Sequence, residues 1–462
     1  MSDVASGNTF EYAASGNTFE HVASGNTFAS YIVKNNFLLQ RLAIIGTGIA
    51  GMSCGYFLHK EYDLTVYEQG DYVGGHTNTV SVDEDGKPVH FDTGFMVFNH
   101  ETYPYLTKLF AELKVETKKT SMSFSVQHVP TGLEYCGSGM NGLFAQRKNI
   151  FSPKFIRMLM QISRFNKEAI KIIQDSGFKI QDSGEITVEE FCAKHNLGDD
   201  FLQKYLIPMS GAVWSTPPEK MLGFPALTLM RFFYNHGFLG LDTQHQWWTV
   251  SGGSKNYRDK IIAPFKEKIM VNNAAVSVLR DDDGVIVKSA DGKAKLYDKV
   301  IFACHGDEAF HLLKHKTADE ERLLSCFSYQ PNRAIIHTDE SVMPKTKAAW
   351  SSWNYRISKK NGVEIPSTIY WMNSLQGCSD KKNYFVSINS DGTIAPEKII
   401  REIDYTHPLF DVPAINAQKE LPKLNETGPV YFCGSYFRYG FHEDALLSSV
   451  QLCEGILGRK LL

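Results

Sequence analysis

The chain has 462 residues, of which 43% are hydrophobic and 21% are charged. This composition predicts a folded, water-soluble protein and excludes a disordered chain or a small disulfide scaffold. The 48 Lys and Arg residues nearly balance the 51 Asp and Glu residues, and the formal net charge is −3. Because no excess of positive charge is present, nucleic-acid binding is not expected.

The cysteines and the apolar runs indicate the cellular setting. The eight cysteines include no CxxC pair and are predicted to be reduced thiols. No apolar run approaches the roughly 20 residues that span a bilayer, and the N-terminus lacks the basic start and apolar core of a signal peptide. We therefore expect a cytoplasmic protein.

Residues 1–38 differ from the rest of the chain in being rich in small polar side chains. The sequence ASGNTF occurs three times there, starting at Ala5, Ala14 and Ala23. Three short copies do not make a solenoid, and such a composition buries too little apolar surface to offset the entropy of ordering. We predict a disordered repeat tail over residues 1–38.

The folded part begins with a strand, a glycine-rich turn and a helix. An apolar run at Leu42–Ile45 precedes Gly46-Thr47-Gly48-Ile49-Ala50-Gly51, a helical pattern through Leu58 and a second strand at Leu64–Glu68. In such a unit, GxGxxG lets the backbone approach a diphosphate at the helix N-terminus, and an acid ending the second strand accepts hydrogen bonds from ribose hydroxyls. The pattern predicts dinucleotide binding through Gly46, Gly48, Ile49, Ala50, Gly51 and Glu68.

A second glycine pair, Gly74-Gly75, follows Glu68 after five residues and precedes His76 and Thr77. It lets the backbone pass close to another part of a long ligand, which favours FAD over NAD. The combined pattern GxGxxG and E-x5-GG-x3-T resembles the superfamily of monoamine oxidase, phytoene desaturase and protoporphyrinogen oxidase. The resemblance implies FAD as the cofactor, held also by Gly74, Gly75, His76 and Thr77. Where these relatives usually carry Arg after the glycine pair, this chain has His76.

The resemblance also implies the fold. The relatives have an α/β, glutathione-reductase-like FAD-binding domain of the Rossmann type with an inserted α+β substrate domain that includes a helical subdomain. We expect FAD-binding segments at residues 39–100, 251–310 and 426–462. The substrate domain is expected at residues 101–250, which include the helical subdomain, and at residues 311–425, which form its sheet.

Four further motifs narrow the resemblance: Phe91–Asn99, Asn235–Phe238, Gly252–Ser254 and Tyr439–Asp444. They are similar to a family of bacterial FAD-binding proteins and to the N-terminal oxidase-like domain of plant cyclopropane fatty acid synthases. The similarity extends from about Arg41 to the end of the chain. It implies lipid chemistry, because such proteins are linked with methyltransferases that modify unsaturated acyl chains.

The superfamily implies three more cofactor contacts. A later strand contacts the adenine through its backbone, and Val276 is the matching residue here. Gly434 would lie against the ribityl and phosphate region. The last helix opens with His442-Glu443-Asp444 and would direct its N-terminus at the flavin, where aligned NH groups stabilise the charge of the reduced ring. Asp444 is counted as a cofactor contact, with a plain helix cap as the alternative.

The sequence assigns no catalytic acid or base, no nucleophile triad and no metal-ligand cluster. Residues that are candidates for lining the flavin or the substrate channel are Asn235, His236, His442, Glu443 and Asp444. Asn235 and His236 lie in an aromatic stretch, so the alternative for this pair is ordinary packing in the core.

We predict an FAD-dependent oxidoreductase that removes a hydride from a lipophilic substrate, an unsaturated or modified fatty acyl chain, with the flavin doing the chemistry. Three alternatives stay open: a flavin amine oxidase, which shares every FAD motif; an isomerase that returns the same hydride and shifts a double bond; and a non-catalytic flavin-binding partner of a lipid methyltransferase.

A helix predicted at Lys154–Ile173 bears on partners. It places Phe155, Met158 and Phe165 at helical spacing with basic side chains among them. A basic amphipathic helix can lie on a membrane surface, so peripheral membrane contact is one interpretation. The other interpretation is an ordinary helix packed on the core with a solvated basic face.

Overall fold

The computed structural model describes residues 39–175, 186–240 and 243–462, and the predicted repeat tail lies outside these described residues. In chain order, their strands are β1 (Arg41–Ile45), β2 (Asp63–Tyr67), β3 (Thr79–Glu84), β4 (Lys87–Asp92), β5 (Phe98–Asn99), β6 (Thr117–Thr120), β7 (Phe124–His128), β8 (Leu133–Cys136), β9 (Trp247–Val250), β10 (Ile269–Met270), β11 (Ala275–Asp281), β12 (Gly284–Ser289), β13 (Ala294–Tyr297), β14 (Lys299–Phe302), β15 (Ser328–His337), β16 (Trp353–Lys360), β17 (Val363–Trp371), β18 (Phe385–Ile388), β19 (Ile399–Leu409) and β20 (Val430–Phe432). Their α-helices are α1 (Ile49–Leu58), α2 (Pro104–Glu112), α3 (Gly139–Leu143), α4 (Pro153–Asp175), α5 (Val188–Lys194), α6 (Asp199–Phe201), α7 (Ile207–Trp214), α8 (Pro218–Leu222), α9 (Ala226–Asn235), α10 (Lys255–Ile262), α11 (Gly306–Leu312), α12 (Ala318–Leu324), α13 (Met372–Gln376), α14 (Val412–Gln418) and α15 (His442–Leu457).

The glycine motifs lie beside a five-stranded parallel sheet with strand order β10-β2-β1-β14-β20. Successive side chains of a strand point to opposite faces of its sheet. On β1, Leu42 and Ile44 pack with α1, α10 and α15, whereas Ala43 and Ile45 belong to the core that includes the antiparallel sheet β11-β12-β13. Both faces of β1 are therefore covered, which explains its continuous apolar run.

The five-stranded sheet collects strands that are distant in the sequence. It combines β1 and β2 near the start, β10 and β14 in the middle and β20 near the end of the chain. These strands fall in residues 39–100, 251–310 and 426–462, the three segments that we propose as the FAD-binding domain. The carboxyl ends of its parallel strands meet at one edge, where a ligand site is expected.

A second large sheet has seven strands in the order β19-β15-β18-β17-β16-β7-β8. Neighbouring strands are antiparallel except for β16 and β7. Helices α4 to α9 form a helical layer, in which α4 packs on α6 and α9 and α7 packs on β16. The smaller sheets β3-β4 and β5-β9-β6 complete the described strands.

The helix predicted at Lys154–Ile173 is α4, which extends one residue earlier and two residues later. Its Phe155, Met158 and Phe165 are buried, so the predicted apolar stripe packs inward. Among the helices of the described ranges, none has both the length and the hydropathy needed to cross a bilayer.

Candidate active site

A cavity of about 830 Å³ runs from the carboxyl edge of the parallel sheet to the helical layer. We call its first part the cradle; its lining residues are Gly46, Thr47, Gly48, Ile49, Ala50, Glu68, Gly75, His76, Cys304, His305 and Gly434. We call its second part the chamber; its lining residues are Phe95, Met96, Tyr103, Met122, Val213, Trp214, Phe232, His236, Phe238, Trp247, Trp353, Tyr370, Leu375, Phe441 and His442.

The glycine loop between β1 and α1 has the geometry of a diphosphate site. Gly46 has a φ of +100°, and a Cβ at Gly51 would lie 2.0 Å from the Gly46 carbonyl oxygen. These two glycines therefore allow the tight turn and the close helix. A Cβ at Gly48 would meet no atom within 4 Å, because this position opens into the cavity. Gly48 is also the N-cap of α1, and no side chain caps this helix start. The NH groups there are therefore free to bind an anion.

The second glycine pair lies against the first loop. A Cβ at Gly75 would be 3.3 Å from the Gly48 Cα, and the Gly74 NH donates to Thr47 Oγ1 at 3.2 Å. Gly75 lines the cavity, whereas Gly74 does not. The backbone is thus brought close to the ligand space at two places, as a long dinucleotide requires.

His76 carries an unpaired polar atom at the cavity wall. Its Nε2 is buried and has no hydrogen-bond partner among the described residues. The ring stacks on Tyr405 at 4.7 Å and lies 5.1 Å from the ring of His407. Burial lowers the pKa of His76 well below its usual value, so the ring is neutral. A buried nitrogen without a partner is a group that a bound ligand would satisfy.

Glu68 follows the last residue of β2 and lines the cradle. Its Oε2 accepts hydrogen bonds from the NH at 3.1 Å and from the hydroxyl of Thr47, and its Oε1 accepts from the Gly70 NH at 2.7 Å. These bonds fix the carboxylate, and each oxygen keeps acceptor capacity for a ribose hydroxyl. The cradle therefore fits FAD through its glycine loop, the orphaned His76 nitrogen and this carboxylate.

Val276, the residue predicted to contact the adenine, is not among the residues at the cavity wall. Val276 is 45% exposed and lies outside the cavity lining, whereas Ala274 and Ala275 line it. Gly434 lines the cradle, and its NH donates to Ser448 Oγ of α15 at 2.9 Å. The contacts of Val276 and Gly434 with FAD stay predictions.

His442 begins α15 and belongs to a buried hydrogen-bonded group with Thr77 and Tyr257. The distances are 2.5 Å from Tyr257 Oη to His442 Nε2 and 2.5 Å from Thr77 Oγ1 to Tyr257 Oη. The His442 ring stacks on Phe95 at 4.0 Å, and burial lowers its pKa to about 3. Burial also raises the pKa of Tyr257, so the phenol and the imidazole are both uncharged.

Glu443 and Asp444 bond to backbone NH groups instead of facing the cavity. Glu443 accepts from the NH groups of Tyr105 and Leu106 at 2.8 and 2.9 Å and thereby caps α2. Asp444 accepts from the Phe441 NH at 3.0 Å and caps its own helix. Burial raises the pKa of Glu443 to about 7 and that of Asp444 to about 6. Neither residue lines the cavity.

Helix α9 ends at Asn235, and His236 is the next residue. Asn235 is exposed, and His236 is 8% exposed and lines the chamber. The His236 Nδ1 donates to the Phe232 carbonyl oxygen at 2.9 Å, and its ring stacks on the Phe232 ring at 3.9 Å. Burial lowers the pKa of His236 to about 4, so this imidazole is neutral as well.

The cavity brings together most of the predicted site residues. Those that line it are Gly46, Gly48, Ile49, Ala50, Glu68, Gly75, His76, His236, Gly434 and His442. Those that do not are Gly51, Gly74, Thr77, Asn235, Val276, Glu443 and Asp444. No sequence pattern marks His407, which lines the cavity, or Tyr257, which bonds to His442. His305 follows β14 at the carboxyl edge of the sheet and lines the cavity, although it is too isolated in the sequence to indicate a nucleophile triad or a metal site. In the described ranges, no group of three His, Cys, Asp or Glu side chains could hold a metal ion.

Comparison with known protein families gives a match over more than half of the chain. The family described as flavin containing amine oxidoreductase matches residues 49–376. Over 88 residues the chain is 37% identical to 15-cis-phytoene desaturase of Synechococcus elongatus, a match that covers 19% of this chain and 18% of that protein. The chain thus matches less than a fifth of that desaturase.

Two solved structures show a similar fold. One is a putrescine oxidase bound to putrescine, with a TM-score of 0.64, 15% identity and coverage of 91% of this chain and 100% of that chain. The other is a CLA-producing fatty acid isomerase from P. acnes, with a TM-score of 0.61, 14% identity and coverage of 89% and 97%. The predicted superfamily, its α/β FAD-binding fold and FAD as the cofactor are confirmed.

Proposed function

This chain belongs to the family of flavin-containing amine oxidoreductases and is an FAD-dependent oxidoreductase, and we propose that its substrate is neutral and lipophilic. The substrate class that fits best is an unsaturated or modified fatty acyl chain with an activated C–H bond. The observation that carries this proposal is the chamber, which is lined by aromatic and aliphatic side chains and by two imidazoles.

The cradle supplies the residues that would hold FAD. The loop Gly46–Ala50 would bind the diphosphate, Glu68 the ribose, and the N-terminus of α15 the flavin end. Bound FAD supplies a hydride acceptor that the side chains of a protein lack. The chain itself fixes the geometry through backbone NH groups and a carboxylate already held in place by Thr47 and Gly70.

The charge pattern of the chamber favours a neutral substrate. The acids among the described lining residues lie elsewhere: Glu68 after β2, Asp307 and Glu308 at the start of α11, and Asp404 exposed on β19. His236 and His442 are neutral because burial lowers their pKa values to about 4 and about 3. An ammonium group would enter this space without a carboxylate partner, which is costly, whereas an acyl chain would gain from apolar burial.

The chamber residues exclude water and align the substrate. Removal of a hydride from an allylic carbon needs little beyond alignment and a dry site. In a desaturation the substrate also loses a proton, and the His236 Nε2 is the candidate acceptor, because Nδ1 donates to Phe232. His442 is a positioning residue: its ring is fixed between Phe95 and the Tyr257 hydroxyl at the start of α15.

The experiment compares lipids from a strain that lacks this protein with lipids from the parent strain. The accumulated fraction is then incubated with the purified holoenzyme. We expect the enzyme to consume an acyl species in that fraction. Consumption of an amine, with the acyl lipids unchanged, would contradict the proposed substrate class and favour the amine oxidase alternative.

Product analysis distinguishes the remaining alternatives. A desaturase or oxidase gives a product two hydrogens poorer than the substrate, and an isomerase gives a shifted double bond without net oxidation. A flavin-binding partner of a lipid methyltransferase would give no product alone. If the protein is such a partner, the Gly48→Ala variant, which does not load FAD, should support the methyltransferase as well as the wild type does.

A further inference from the structure

An exposed apolar patch lies on the segment from α3 to α4, outside the site described above. Phe151 is 85% exposed, Met140 70% and Met160 68%. Together with Ile150 and Ile156, they are five of the fourteen large apolar side chains that are exposed in the described residues. Single apolar side chains scattered over a protein surface are ordinary, whereas their concentration between Met140 and Met160 makes this segment a candidate interaction surface.

The same segment is strongly basic. From Tyr135 to Lys167 it contains no Asp or Glu, although the whole chain carries a net charge of −3. Its cations are Arg147, Lys148, Lys154, Arg157, Arg164 and Lys167, and all six are exposed. None of them forms an ion pair with another described residue; Arg147 instead donates to the Phe144 carbonyl oxygen and to Asn141 Oδ1. We call the five apolar and six basic side chains the basic-apolar patch.

The outer face of α4 presents both kinds of side chain. Ile156 and Met160 are four residues apart, and Arg157 and Arg164 are seven apart, so each pair shares a face of the helix. The opposite face is buried, and the Phe155 ring contacts the Phe144 ring beyond α3 with centroids 5.9 Å apart. The patch is therefore held by a packed helix.

The patch is linked to the chamber through the helical layer. Helix α4 packs on α9, and α9 provides Phe232 to the chamber and ends next to His236. One helix thus separates the exposed patch from the space in which we place the substrate. This juxtaposition suits a protein that takes a lipophilic molecule from a nearby surface.

We propose that the basic-apolar patch docks on the surface of a membrane that contains anionic lipids. Apolar side chains such as Phe151 enter the boundary between headgroups and acyl chains, and the surrounding cations pair with lipid phosphates. A second copy of this chain is a poorer occupant, because six cations would face six cations. The inference goes beyond the proposed function, because docking does not depend on which reaction the site performs.

The test measures binding of the holoprotein to vesicles by flotation. We expect binding to phosphatidylcholine vesicles that contain phosphatidylglycerol, much weaker binding to phosphatidylcholine alone, and a decrease as salt is raised. Phe151→Asp is expected to weaken binding by about tenfold or more. Lys154→Glu and Arg157→Glu are each expected to weaken it by at least about fivefold, corresponding to about 1 kcal/mol per cation.

Matched controls are available away from the patch. Ile400→Asp replaces an exposed apolar residue on β19, the strand at the opposite end of the seven-stranded sheet from β8. Lys288→Glu reverses an exposed cation on β12. Both controls should bind vesicles like the wild type. All variants should keep their FAD, because the changed side chains lie outside the cavity lining.

Three results would overturn the proposal. One is that the holoprotein does not float with anionic vesicles at low salt. A second is that Ile400→Asp or Lys288→Glu weakens binding as much as the patch variants do. A third is that Phe151→Asp changes the oligomeric state, or binding to an acidic protein, and leaves vesicle binding intact. None of these results bears on substrate chemistry, so the proposed function is tested separately.

Discussion

The cradle and the chamber share one cavity but offer opposite kinds of contact. The cradle presents backbone NH groups, tight glycine turns and the fixed carboxylate of Glu68. The chamber presents aromatic faces and the neutral rings of His236 and His442. In the proposed assignment, directed polar bonds define the cofactor end of the cavity, whereas shape and apolar burial select the substrate at the other end.

The variant with the largest expected effect is Gly51→Ala, which should disturb both the folding of the cradle and its binding of FAD. In Gly51→Ala, the added methyl would lie 2.0 Å from the Gly46 carbonyl oxygen, so the loop cannot close as it does now. We expect apo Gly51→Ala to lose about 1–3 kcal/mol of stability or more and to retain no FAD. Thermal unfolding of the apoprotein and FAD titration measure the two effects.

Gly48→Ala is the matched control for that experiment. Because no atom lies within 4 Å of the added methyl, the apoprotein should unfold at the wild-type temperature. The methyl would nevertheless occupy ligand space, and FAD affinity should fall at least about tenfold. Wild-type FAD affinity in Gly48→Ala would show that the diphosphate does not lie at this loop.

The next effect concerns the carboxylate of Glu68. A charge-assisted hydrogen bond contributes about 1.5–3 kcal/mol, so Glu68→Ala should weaken FAD binding by about tenfold to a hundredfold for each ribose bond lost. The apoprotein should also lose stability, because Thr47 and Gly70 lose their acceptor. Gln69→Ala, which changes a neighbouring lining residue without charge, should bind FAD normally. Equal FAD affinity in Glu68→Ala and the wild type would refute the ribose assignment.

A charge placed in the chamber should affect the substrate and leave the cofactor in place. Val213 lies on α7 and lines the chamber, so Val213→Asp introduces a carboxylate among aromatic side chains. We expect reduction of bound FAD by an acyl substrate to slow by about a hundredfold, because the chain must then contact a desolvated charge. FAD affinity should stay unchanged, and Val213→Ala should change the rate much less. If amines reduced the bound FAD faster in the wild type than in Val213→Asp, this would contradict the proposal that the chamber accepts neutral substrates.

Much of the cradle could be predicted because its motifs are local in sequence. Gly46–Gly51 and Glu68 belong to one strand–helix–strand unit, so their spacing indicates their function. The chamber could not be predicted in this way, because α7, α9, β9, β16 and α15 meet only in the folded chain. The position of Asn235 and His236 at the end of α9 illustrates the limit: adjacent residues differ by about 100° around a helix, and only His236 reaches the cavity.

A smaller effect concerns the pH dependence of stability. Burial raises the pKa of Glu443 from an ordinary 4.5 to about 7, so the folded state holds a proton that the unfolded state has released between these values. Stability should therefore be greatest below about pH 4.5 for this group and fall, by on the order of 3 kcal/mol, as pH rises towards 7. Asp444, with its pKa raised to about 6, acts in the same direction.

Glu443→Gln checks the pH effect, because the amide does not titrate. The melting temperature of this variant should change less between pH 4.5 and 7 than that of the wild type. Unchanged pH dependence in Glu443→Gln would mean that the buried carboxyl of Glu443 does not hold this proton in the folded state. Glu454→Gln, which alters an acid of α15 outside the cavity lining, is the control and should keep the wild-type pH dependence in this range.

The most direct test of a polar cradle beside a neutral, apolar chamber is anaerobic mixing of the holoenzyme with candidate substrates. Loss of the oxidised flavin absorbance is followed for unsaturated phospholipids, aromatic amines and polyamines in separate mixtures. We expect rapid loss with an unsaturated acyl lipid and little change with any amine. Rapid reduction by an amine alone, with the lipids inert, would contradict the neutral chamber and assign the site to amine oxidation.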